Sequence, residues 1–524
     1  MDCIKSIYIK GFKKFTELNV HFNKHMNILV GGNEAGKTTI LDAIKIVLNQ
    51  QYKNSDRSVL RELLNSREVD NFVKKPCIKT LPSIYIELQL DLDPKSKNSE
   101  YFFGQNNRLN KTEFGIVFQC SFDEDLGNGL DSEIAAGKIP YEYYSFRWTT
   151  FAGLSYQMIK RPLNFLAINT SNSNANDSFN YYNRALFNSC YDEATRLSAK
   201  NNFRDQLNQA FSAIALPDID GSRKFGINDK KVILETILSV YENSIALENR
   251  GSGMESLIKT QIALDRSKSQ LDVVLLEEPE NHLCFTNMRK MLQEISNRQT
   301  DSQIIIATHN NMIASRLNLN NVLWLSDGVA MSLQTVDKTV ADFFVKADDN
   351  NFLQLLLAHK VILVEGATEF LLLPKLYTQI TQRTLEDDRV CVISCNGISF
   401  DHYLKIAEAT GKRIAVITDN DKKQKRIDDA KAFNEGHNDQ HIFMGEAIDD
   451  WTWEACFYRL NQQELDAMID VQAGAKYLVH DVDYGQVLGK MLNNKVDTAY
   501  QMLVSDTTFN IPQYVKDAIA WLNE

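Results

Sequence analysis

Hydrophobic and polar positions divide the chain into two series of strands and helices. Residues 4–9 alternate polar and apolar side chains, which predicts a half-buried strand, whereas residues 26–30 are continuously apolar and predict a central strand. A glycine-rich segment and an amphipathic helix follow, so the first 50 residues are interpreted as β–β–β–α. The same alternation predicts further strands at 83–92, 112–121 and 141–148.

The middle of the chain is less regular. Residues 171–180 form a polar segment without core-forming side chains, whereas residues 181–215 and 231–248 have the spacing of helices. We interpret residues 170–245 as a helical insertion suited to dimerisation.

Apolar strands alternate with helices again in two later regions. The first spans residues 270–326, and the second begins at residue 361, after a polar and charged stretch at 329–352. Such alternation predicts parallel sheets. We therefore predict an α/β protein with one domain at 1–340 and another at 355–524.

Composition narrows the class of protein. A chain of 524 residues is long enough for more than one domain, and 44% hydrophobic and 24% charged residues are ordinary for a soluble protein. No apolar run approaches the roughly 20 residues that span a bilayer, and the eight cysteines lack zinc-site spacing. We therefore expect a cytoplasmic protein with no membrane partner. The net charge of −11 argues against indiscriminate nucleic-acid binding, but it is compatible with a local basic groove.

The glycine-rich segment after residue 30 has the pattern of a phosphate-binding loop. Glycines let backbone N–H groups wrap phosphates, and the N-terminus of the following helix adds a favourable dipole. In this pattern Lys37 reaches the β- and γ-phosphates, and the Thr38 hydroxyl binds Mg²⁺. The sequence thus predicts ATP as a cofactor, held by Gly31, Asn33, Gly36, Lys37, Thr38 and Thr39.

Two later strands end in side chains suited to ATP hydrolysis. Residues 273–276 lead into Glu277 and Glu278, of which one can hold Mg²⁺ through water and the other can polarise the attacking water. The strand at 303–308 ends before His309 and should neighbour the first, so that His309 can face the γ-phosphate. A solvated acidic turn and a structural histidine are the alternatives.

A second group of carboxylates is predicted in the C-terminal region. The strand at 361–364 ends in Glu365, and the strand at 413–418 ends in Asp419 and Asp421. The carboxyl ends of parallel strands meet at one edge of a sheet, so these side chains can converge. Converging carboxylates repel unless cations neutralise them, which favours Mg²⁺ or Mn²⁺, and two such ions could clamp a reacting phosphodiester. Taken singly, each motif is equally well explained as a solvated loop.

A basic run, Lys422, Lys423, Lys425 and Arg426, follows Asp421 directly. Beside a metal site such side chains can hold the backbone of DNA, although a solvated loop explains them equally well. No aromatic residues interleave with the run, so the sequence does not predict single-strand stacking there.

The opening segment IKSIYIKGFKKF, followed by NILVGGNEAGKTTILDAI, resembles the SMC and RecF-like branch of ABC-type ATPases. The resemblance implies that Glu277 takes the metal-side position, where the family usually has Asp. It also implies that Glu278 is the catalytic base and that His309 is the switch histidine.

The same family carries a signature loop, which residues 250–255 match loosely. The resemblance implies that Ser252 and Gly253 complete the ATP site of a partner head, and hence a homodimer or higher homo-oligomer. A helix-capping Ser-Gly turn is the alternative. Gln89 is a guess for the family's glutamine loop.

In the C-terminal region, a strand ending in Glu365, with Glu369 four residues later, precedes the Asp-x-Asp strand. This order resembles the Toprim domain, and an ABC-type ATPase followed by Toprim is similar to the OLD (overcoming lysogenization defect) family, which includes the nuclease subunit of the Gabija anti-phage system. The resemblance implies metal ligands at Glu369 and Glu454. It also implies a catalytic Lys495 that stabilises charge in the transition state, with Lys490 as its competitor.

We therefore predict an ATP-regulated, divalent-metal-dependent DNA endonuclease or nickase, for which the resemblance alone implies anti-phage defence and a helicase-like partner protein. Its predicted catalytic residues are Glu365, Asp419, Asp421, Lys495 and Glu278. Its predicted metal ligands are Glu365, Glu369, Asp419, Asp421, Glu454 and Thr38. The alternative is a non-cutting RecF- or SMC-like repair ATPase clamp, whose Toprim domain only binds DNA. A transporter ATPase leaves 361–524 unexplained, and 460–524 is too short for the separate tyrosine domain of a topoisomerase.

Overall fold

The computed structural model of the chain divides into two compact units. Met1–Asn310 and Asn321–Ala330 form the first, and Asn311–Asn320 and Met331–Glu524 form the second. The domain limits inferred from the sequence stay a prediction. The residues that the structure describes are 1–53, 55–96, 98–127, 129–169, 183–184, 186–188, 190–214, 216–217, 219–220, 223, 225–228, 232–267, 271–298, 302–326, 328–346, 351–395, 399–472 and 476–524.

The N-terminal part contains an antiparallel and a largely parallel sheet. The antiparallel sheet has the order β2-β1-β4-β6-β5, with β7 beside β6, and the second sheet has the order β14-β13-β3-β12-β11-β8. A separate hairpin pairs β9 with β10. The strands are β1 (Cys3–Phe12), β2 (Phe15–His21), β3 (Met26–Gly31), β4 (Ile84–Asp91), β5 (Phe103–Gly104), β6 (Glu113–Phe122), β7 (Tyr144–Thr150), β8 (Phe165–Asn169), β9 (Tyr241–Glu242), β10 (Ile245–Ala246), β11 (Val273–Glu277), β12 (Gln303–Thr308), β13 (Val322–Ser326) and β14 (Val329–Ser332).

The burial of these strands follows the hydrophobic pattern. β4 alternates buried and half-buried residues, as a strand with one covered face does. By contrast, every residue of β3, β11 and β12 is buried, as expected for the centre of a parallel sheet. β12 lies between β3 and β11 in parallel register, so the prediction that the Glu277 and His309 strands are neighbours is confirmed.

The helices of the first unit include one that packs between the two sheets. α1 starts directly after the glycine-rich loop, and its apolar residues join a core cluster with strands of both sheets. The helices are α1 (Lys37–Asn49), α2 (Leu60–Leu63), α3 (Ser66–Lys74), α4 (Asp131–Ala135), α5 (Glu193–Ser212), α6 (Leu234–Ile237), α7 (Ser252–Ser267) and α8 (Phe285–Arg298).

The predictions for the middle of the chain are partly correct. α5 confirms the helix expected within 181–215. The continuous helix expected at 231–248 is wrong, because in the described part of this range only α6 is α-helical, and the β9–β10 hairpin and a 3₁₀ turn at Leu247–Asn249 follow. Within this hairpin the apolar residues Tyr241, Ile245 and Ala246 have a spacing that also fits one face of a helix. The polar segment at 171–180 lies outside the described residues.

The second unit is built on a parallel sheet of the order β16-β15-β17-β18. β15 and β17 pair in register, with Val364 opposite Ile417, so the residues after both strands emerge at the same rim. A small antiparallel hairpin pairs β19 with β20. The strands are β15 (Lys360–Val364), β16 (Val390–Ser394), β17 (Arg413–Ile417), β18 (Gln440–Phe443), β19 (Leu478–Val479) and β20 (Val482–Asp483).

Helices cover this sheet and close its core. Apolar residues of β15 and β17 pack with those of the C-terminal helices in one cluster, which fixes the rim where the carboxylates lie. In the described part of the chain, no helix combines the length and apolar character needed to cross a membrane. The helices of this unit are α9 (Asn311–Arg316), α10 (Lys338–Lys346), α11 (Phe352–Leu357), α12 (Ala367–Thr381), α13 (Phe400–Thr410), α14 (Gln424–Gly436), α15 (Trp453–Leu460), α16 (Gln462–Met468), α17 (Gln486–Asn493), α18 (Lys495–Val504) and α19 (Gln513–Asn523).

Candidate nucleotide and metal sites

The glycine-rich loop joins β3 to α1 in the geometry that phosphate binding requires. Gly36 caps α1 with a φ of 100°, a conformation that L side chains rarely adopt, and a Cβ there would lie 2.2 Å from the Phe15 ring. Asn33 and Thr38 are exposed, whereas Gly31 and Thr39 are buried. The loop therefore presents Thr38 and the start of α1 to solvent, where an anion meets the positive end of the helix dipole.

Lys37 lies buried within its own loop. Its Nζ donates to the carbonyl oxygens of Gly31 at 2.9 Å and Gly32 at 3.2 Å. Burial lowers the pKa of Lys37, and the negative charges of Glu278, Glu280 and Glu277 partly offset this effect. The structure thus brings the predicted lysine and the carboxylates after β11 to one place.

Glu277 and Glu278 leave the end of β11 in different directions. The Glu277 carboxylate accepts a hydrogen bond of 2.7 Å from Asn169 Nδ2, at the end of the neighbouring strand β8. Glu278 has a φ of 48°, and its carboxylate lies 2.9 Å from Nδ1 of His309. Burial and the nearby Glu280 raise the pKa of Glu278 to about 7. A carboxyl group with such a pKa is suited to accept a proton near neutral pH.

Glu280 is a member of this site that the sequence analysis missed. Thr308, the last residue of β12, donates a short hydrogen bond to its buried carboxylate. One potential ligand atom from each of Glu278, Glu280 and His309 lies within 4.8 Å of the others, and elsewhere in the described chain no three such groups are as close. The signal was present, because Glu280 is the third carboxylate of the run Glu-Glu-Pro-Glu.

The signature-loop residues occupy the first turn of α7. Ser252 and Gly253 are the first two residues of this helix, and a Cβ on Gly253 would lie 2.2 Å from the carbonyl oxygen of His282. That close approach requires glycine at 253. The guess for the glutamine loop is wrong, because Gln89 lies within β4, where its side chain accepts a 2.8 Å hydrogen bond from Ser6.

In the second unit, Glu365 and Asp421 lie on either side of one guanidinium group. Arg426 Nη1 pairs closely with the Asp421 carboxylate, and Nη2 lies 3.9 Å from Glu365 Oε2. Thr418 donates to the same oxygen of Glu365. Both carboxylates are exposed by nearly half. Arg426 was predicted only as a DNA contact, and its pairing here follows from its place in the first turn of α14, five residues after Asp421.

Asp419 and Glu369 lie deeper in this cluster. Burial, followed by repulsion from neighbouring carboxylates, raises the pKa of Asp419 to about 7 and that of Glu369 to about 8. Glu454 contributes to both shifts. Gly366 makes room for Glu369, since a Cβ there would lie 2.6 Å from Glu369 Oε2. A side chain at position 366 would therefore require the Glu369 carboxylate to shift.

Glu454 and Lys495 complete the inner part of the cluster. Glu454 is 1% exposed, and its two oxygens accept hydrogen bonds from Thr368 at 2.9 Å and from Lys495 Nζ at 3.1 Å. Although burial opposes it, attraction to Glu454, Asp419 and Glu369 leaves the pKa of Lys495 raised. Lys490 instead donates to the carbonyl oxygen of Asp470. Of the two late lysines, Lys495 is the one that contacts the cluster in the described hydrogen bonds, and its catalytic role stays a prediction.

Hydrogen bonds join the Asp-x-Asp segment to the loop between β18 and α15. Asn420, between the two aspartates, is fully buried, and its amide donates to the carbonyl oxygens of Gly445, Ala447 and Asp450. Trp453 N–H donates to Asp419 Oδ1 at 2.8 Å, one residue before Glu454. Asn420 was not predicted from the sequence, because nothing in the Asp-x-Asp pattern identifies the middle residue.

The donor set of this cluster fits hard divalent cations. Glu365, Glu369, Asp419 and Glu454 supply carboxylate oxygens, the ligands that Mg²⁺ and Mn²⁺ prefer. Burial, followed by repulsion from neighbouring carboxylates, raises the pKa values of Glu369 and Asp419, and bound cations would stabilise their charged forms. Asp421 was predicted as a ligand alongside these, but its pairing with Arg426 places it at the outer edge of the cluster.

Two family models match the chain in succession. Residues 3–314 match the AAA ATPase domain, and residues 356–421 match the Toprim domain of proteins like the overcoming lysogenization defect protein. These matches define an ATPase with a C-terminal Toprim domain. The first match covers more than half of the chain, so the protein belongs to the AAA ATPase domain family, and its Toprim domain is of the OLD-like type.

Curated relatives match parts of the chain. The chromosome partition protein Smc of Fusobacterium nucleatum is 33% identical over 150 residues, which cover 26% of this chain and 12% of that protein. RecF of Limosilactobacillus reuteri is 31% identical over 87 residues, covering 16% and 22%. The Old nuclease of Escherichia phage P2 is 25% identical over 170 residues, covering 30% and 28%. The matched region thus spans less than a third of each of these relatives.

Solved structures give weaker similarity. The SMC head domain from Thermotoga maritima aligns with a TM-score of 0.30 and 15% identity, over 62% of this chain and 97% of that one. A RecF structure aligns with a TM-score of 0.34 and 11% identity, over 63% and 98%. These TM-scores are too low to support a conclusion.

Proposed function

We propose that the protein is an ATP-regulated, divalent-metal-dependent DNA endonuclease or nickase. The observation that carries this proposal is the carboxylate cluster at the rim of β15 and β17, with Lys495 against Glu454. When bound there, divalent cations supply charge neutralisation for the attacking and departing oxygens of a phosphodiester. The Old nuclease relative supports the same activity.

The residues of the cluster have different proposed roles in cutting the phosphodiester. Glu365, Glu369, Asp419 and Glu454 hold the cations, with Asp421 at the outer edge. Lys495 positions Glu454 and places a positive charge beside the phosphate, where it stabilises the charge that develops in the transition state. Arg426 separates Glu365 from Asp421 and contacts the phosphate backbone once cations replace it.

In the first unit, the phosphate-binding loop and the carboxylates after β11 bind and hydrolyse ATP. Lys37, Thr38 and Thr39 hold the phosphates and Mg²⁺, Glu277 takes the metal-side position, and Glu278 acts as the base. His309 contacts Glu278 and responds to the γ-phosphate. Two heads associate across ATP through Ser252 and Gly253, so the protein acts as a homodimer or higher homo-oligomer.

The cellular role that we propose is anti-phage defence in the cytoplasm, together with a helicase-like partner protein. This role rests on the resemblance to OLD and Gabija proteins. A second function, a non-cutting DNA-repair clamp, is favoured by the bridge that Arg426 makes between Glu365 and Asp421 and by the RecF and Smc relatives.

Plasmid cleavage separates the two functions. Supercoiled plasmid is incubated with the protein and Mg²⁺ or Mn²⁺, with and without ATP, and nicked and linear products are measured. We expect wild type to nick, Glu365→Gln to be inactive, and Glu435→Gln, an exposed carboxylate change on α14, to match wild type. Folded wild-type protein that leaves plasmid intact under every metal and nucleotide condition contradicts the nuclease function and favours the clamp.

A further inference from the structure

Two aromatic side chains lie beside the first lysine of the basic run. Lys422 Nζ lies 4.4 Å from the ring centroid of Trp451 and 5.0 Å from that of Tyr484, and it donates to the Tyr484 hydroxyl at 3.1 Å. The two ring centroids are 5.2 Å apart with an interplanar angle of 38°. The run itself contains no aromatic residue, but the fold supplies two from distant segments.

This aromatic pair is anchored to the backbone of the carboxylate cluster. The N–H of Asp421 donates to the carbonyl oxygen of Trp451 at 3.1 Å, and Trp453 N–H reaches Asp419. Asn420 fixes the preceding carbonyl of Asp450 at 3.2 Å. The backbone of Trp451 is therefore joined by one hydrogen bond to the backbone of Asp421, at the outer edge of the carboxylate cluster.

The surroundings of the pair suit a nucleic acid strand. Both rings are partly exposed, and Lys422 and its neighbours Lys423 and Lys425 are exposed cations. The two rings pack against each other and against Lys422, their partial exposure leaves surface for a flat partner, and the lysine charge attracts a phosphate. Only a base that has left its own stack can offer its face to a side chain.

We propose that Trp451 and Tyr484 form a stacking platform for an unpaired base of the strand whose backbone crosses the carboxylate cluster. This proposal rests on the proposed nuclease function and narrows its substrate to DNA with single-stranded character, such as a flap, a gap or a melted end. Lys422 contacts the phosphate next to the stacked base.

Equilibrium binding tests the platform without cutting. Fluorescently labelled oligo-dT and a blunt duplex of equal length are titrated with the full-length protein in Ca²⁺, and dissociation constants are read from anisotropy. We expect Trp451→Ala to weaken oligo-dT binding about tenfold, since one stacked base contributes on that order. Duplex binding should change less than about twofold, and Trp451→Phe should restore most of the loss.

Two further variants keep the test decisive. Tyr484→Ala removes the second ring from another segment, and Tyr101→Ala removes a 40% exposed tyrosine from the first unit as a control. Equal oligo-dT affinity for wild type, Trp451→Ala and Tyr484→Ala overturns the platform, as does an equal loss for oligo-dT and duplex. If Trp451→Ala and Tyr484→Ala give one of these results and still nick plasmid like wild type, the platform is overturned but the nuclease function stands. Wild-type protein that neither binds nor cuts DNA overturns both.

Discussion

The molecule holds two acidic sites at the ends of parallel strands, and they are built differently. In the first unit, Glu278, Glu280 and His309 form a compact group, and Lys37 of the phosphate-binding loop lies near the two carboxylates. In the second unit, the carboxylates are spread from the exposed Glu365 to the buried Glu454. Both sites contain cations: Lys37 lies near the carboxylates of the first site, and Lys495 and Arg426 pair with carboxylates of the second.

The different arrangement of charges in the two sites indicates which ligand each site can bind. A lysine among carboxylates is ready to exchange some of its contacts for a nucleotide phosphate, which arrives with its own Mg²⁺. Burial and neighbouring carboxylates raise the pKa values of Glu369 and Asp419, so these groups need cations from solution before they can accept a phosphate. The site of the first unit is thus suited to ATP, and that of the second unit to a phosphodiester held by metal ions.

Asp419→Asn should cause the largest loss of plasmid nicking among the variants proposed for the second site. The change keeps the size of the side chain and its acceptor oxygen for Trp453 N–H, but it removes the negative charge among the carboxylates. We expect plasmid nicking to fall roughly a thousandfold or more, because two-ion chemistry depends on that charge. ATP hydrolysis, measured on the same preparation, should stay within about twofold.

The matched control for Asp419→Asn is Asp439→Asn, an aspartate just before β18 that is not part of the cluster. Nicking by Asp419→Asn at a tenth of the wild-type rate or faster contradicts a metal-binding role. Equal loss of nicking and ATP hydrolysis points to a folding defect, which circular dichroism would reveal.

Lys37→Ala should abolish most ATP hydrolysis at the first site and leave nucleotide-free nicking at the second site nearly unchanged. Its ammonium is the cation among Glu277, Glu278 and Glu280, so ATP hydrolysis should fall by about a hundredfold or more. Nicking without nucleotide should stay within about threefold, because the described contacts of Lys37 all lie in the first unit. Loss of nucleotide-free nicking in Lys37→Ala would contradict the separation of the two sites.

Much of both sites could be predicted because strand ends are visible in a sequence. Continuous apolar runs locate β3, β11 and β15, and the residue after each run lies at a sheet rim in any parallel fold. Glu278, Glu365 and Asp419 were predicted in this way, whereas Lys37 was predicted from the glycine pattern of the phosphate-binding loop. The resemblance to known families added Glu454 and Lys495, which no strand pattern identifies.

Several contacts in the two sites could not be predicted, for one physical reason. Asn169, Asn420 and Arg426 have partners that only the three-dimensional fold brings together, such as the loop carbonyls that Asn420 binds. The aromatic pair beside Lys422 is a further case, since Tyr484 lies 62 residues along the chain. The hydrophobic period of a sequence indicates which face of a strand or helix is buried, but it does not indicate which distant loop packs against that face.

Lys495→Met should weaken cutting less than loss of a carboxylate. The variant removes the ammonium that donates to Glu454 and leaves a side chain of similar length. We expect nicking to fall about a hundredfold, the usual effect of removing one charge-stabilising donor. Lys490→Met, whose lysine contacts only the Asp470 carbonyl among the described hydrogen bonds, should stay within about threefold of wild type.

Lys495→Arg sharpens this comparison, because it keeps the charge but changes the geometry of the donors. It should recover part of the lost rate. If Lys490→Met loses more activity than Lys495→Met, the assignment of the late lysine is reversed.

The smallest predicted effect is on stability, and it comes from the carboxyl groups with raised pKa. Glu369 and Asp419 have folded-state pKa values of about 8 and about 7, above the ordinary 4.5 and 3.8, so between these values the folded protein binds more protons than the unfolded chain. Stability from these groups is therefore present below the ordinary pKa and lost as pH rises through 7 and 8. In EDTA, the melting temperature should fall by about 2–5 °C more in wild type than in Glu369→Gln between pH 6 and 8.5.

Divalent cations should reverse this loss, because they stabilise the deprotonated carboxylates of the folded state. Differential scanning fluorimetry at each pH, with EDTA, Mg²⁺ or Mn²⁺, measures both effects. The gain from Mn²⁺ should be largest at pH 8.5 in wild type and smaller in Glu369→Gln, which lacks one ligand. Identical pH profiles for the two proteins in EDTA would mean that Glu369 titrates like an ordinary surface carboxylate, and the contrast between the two acidic sites would then lose its electrostatic basis.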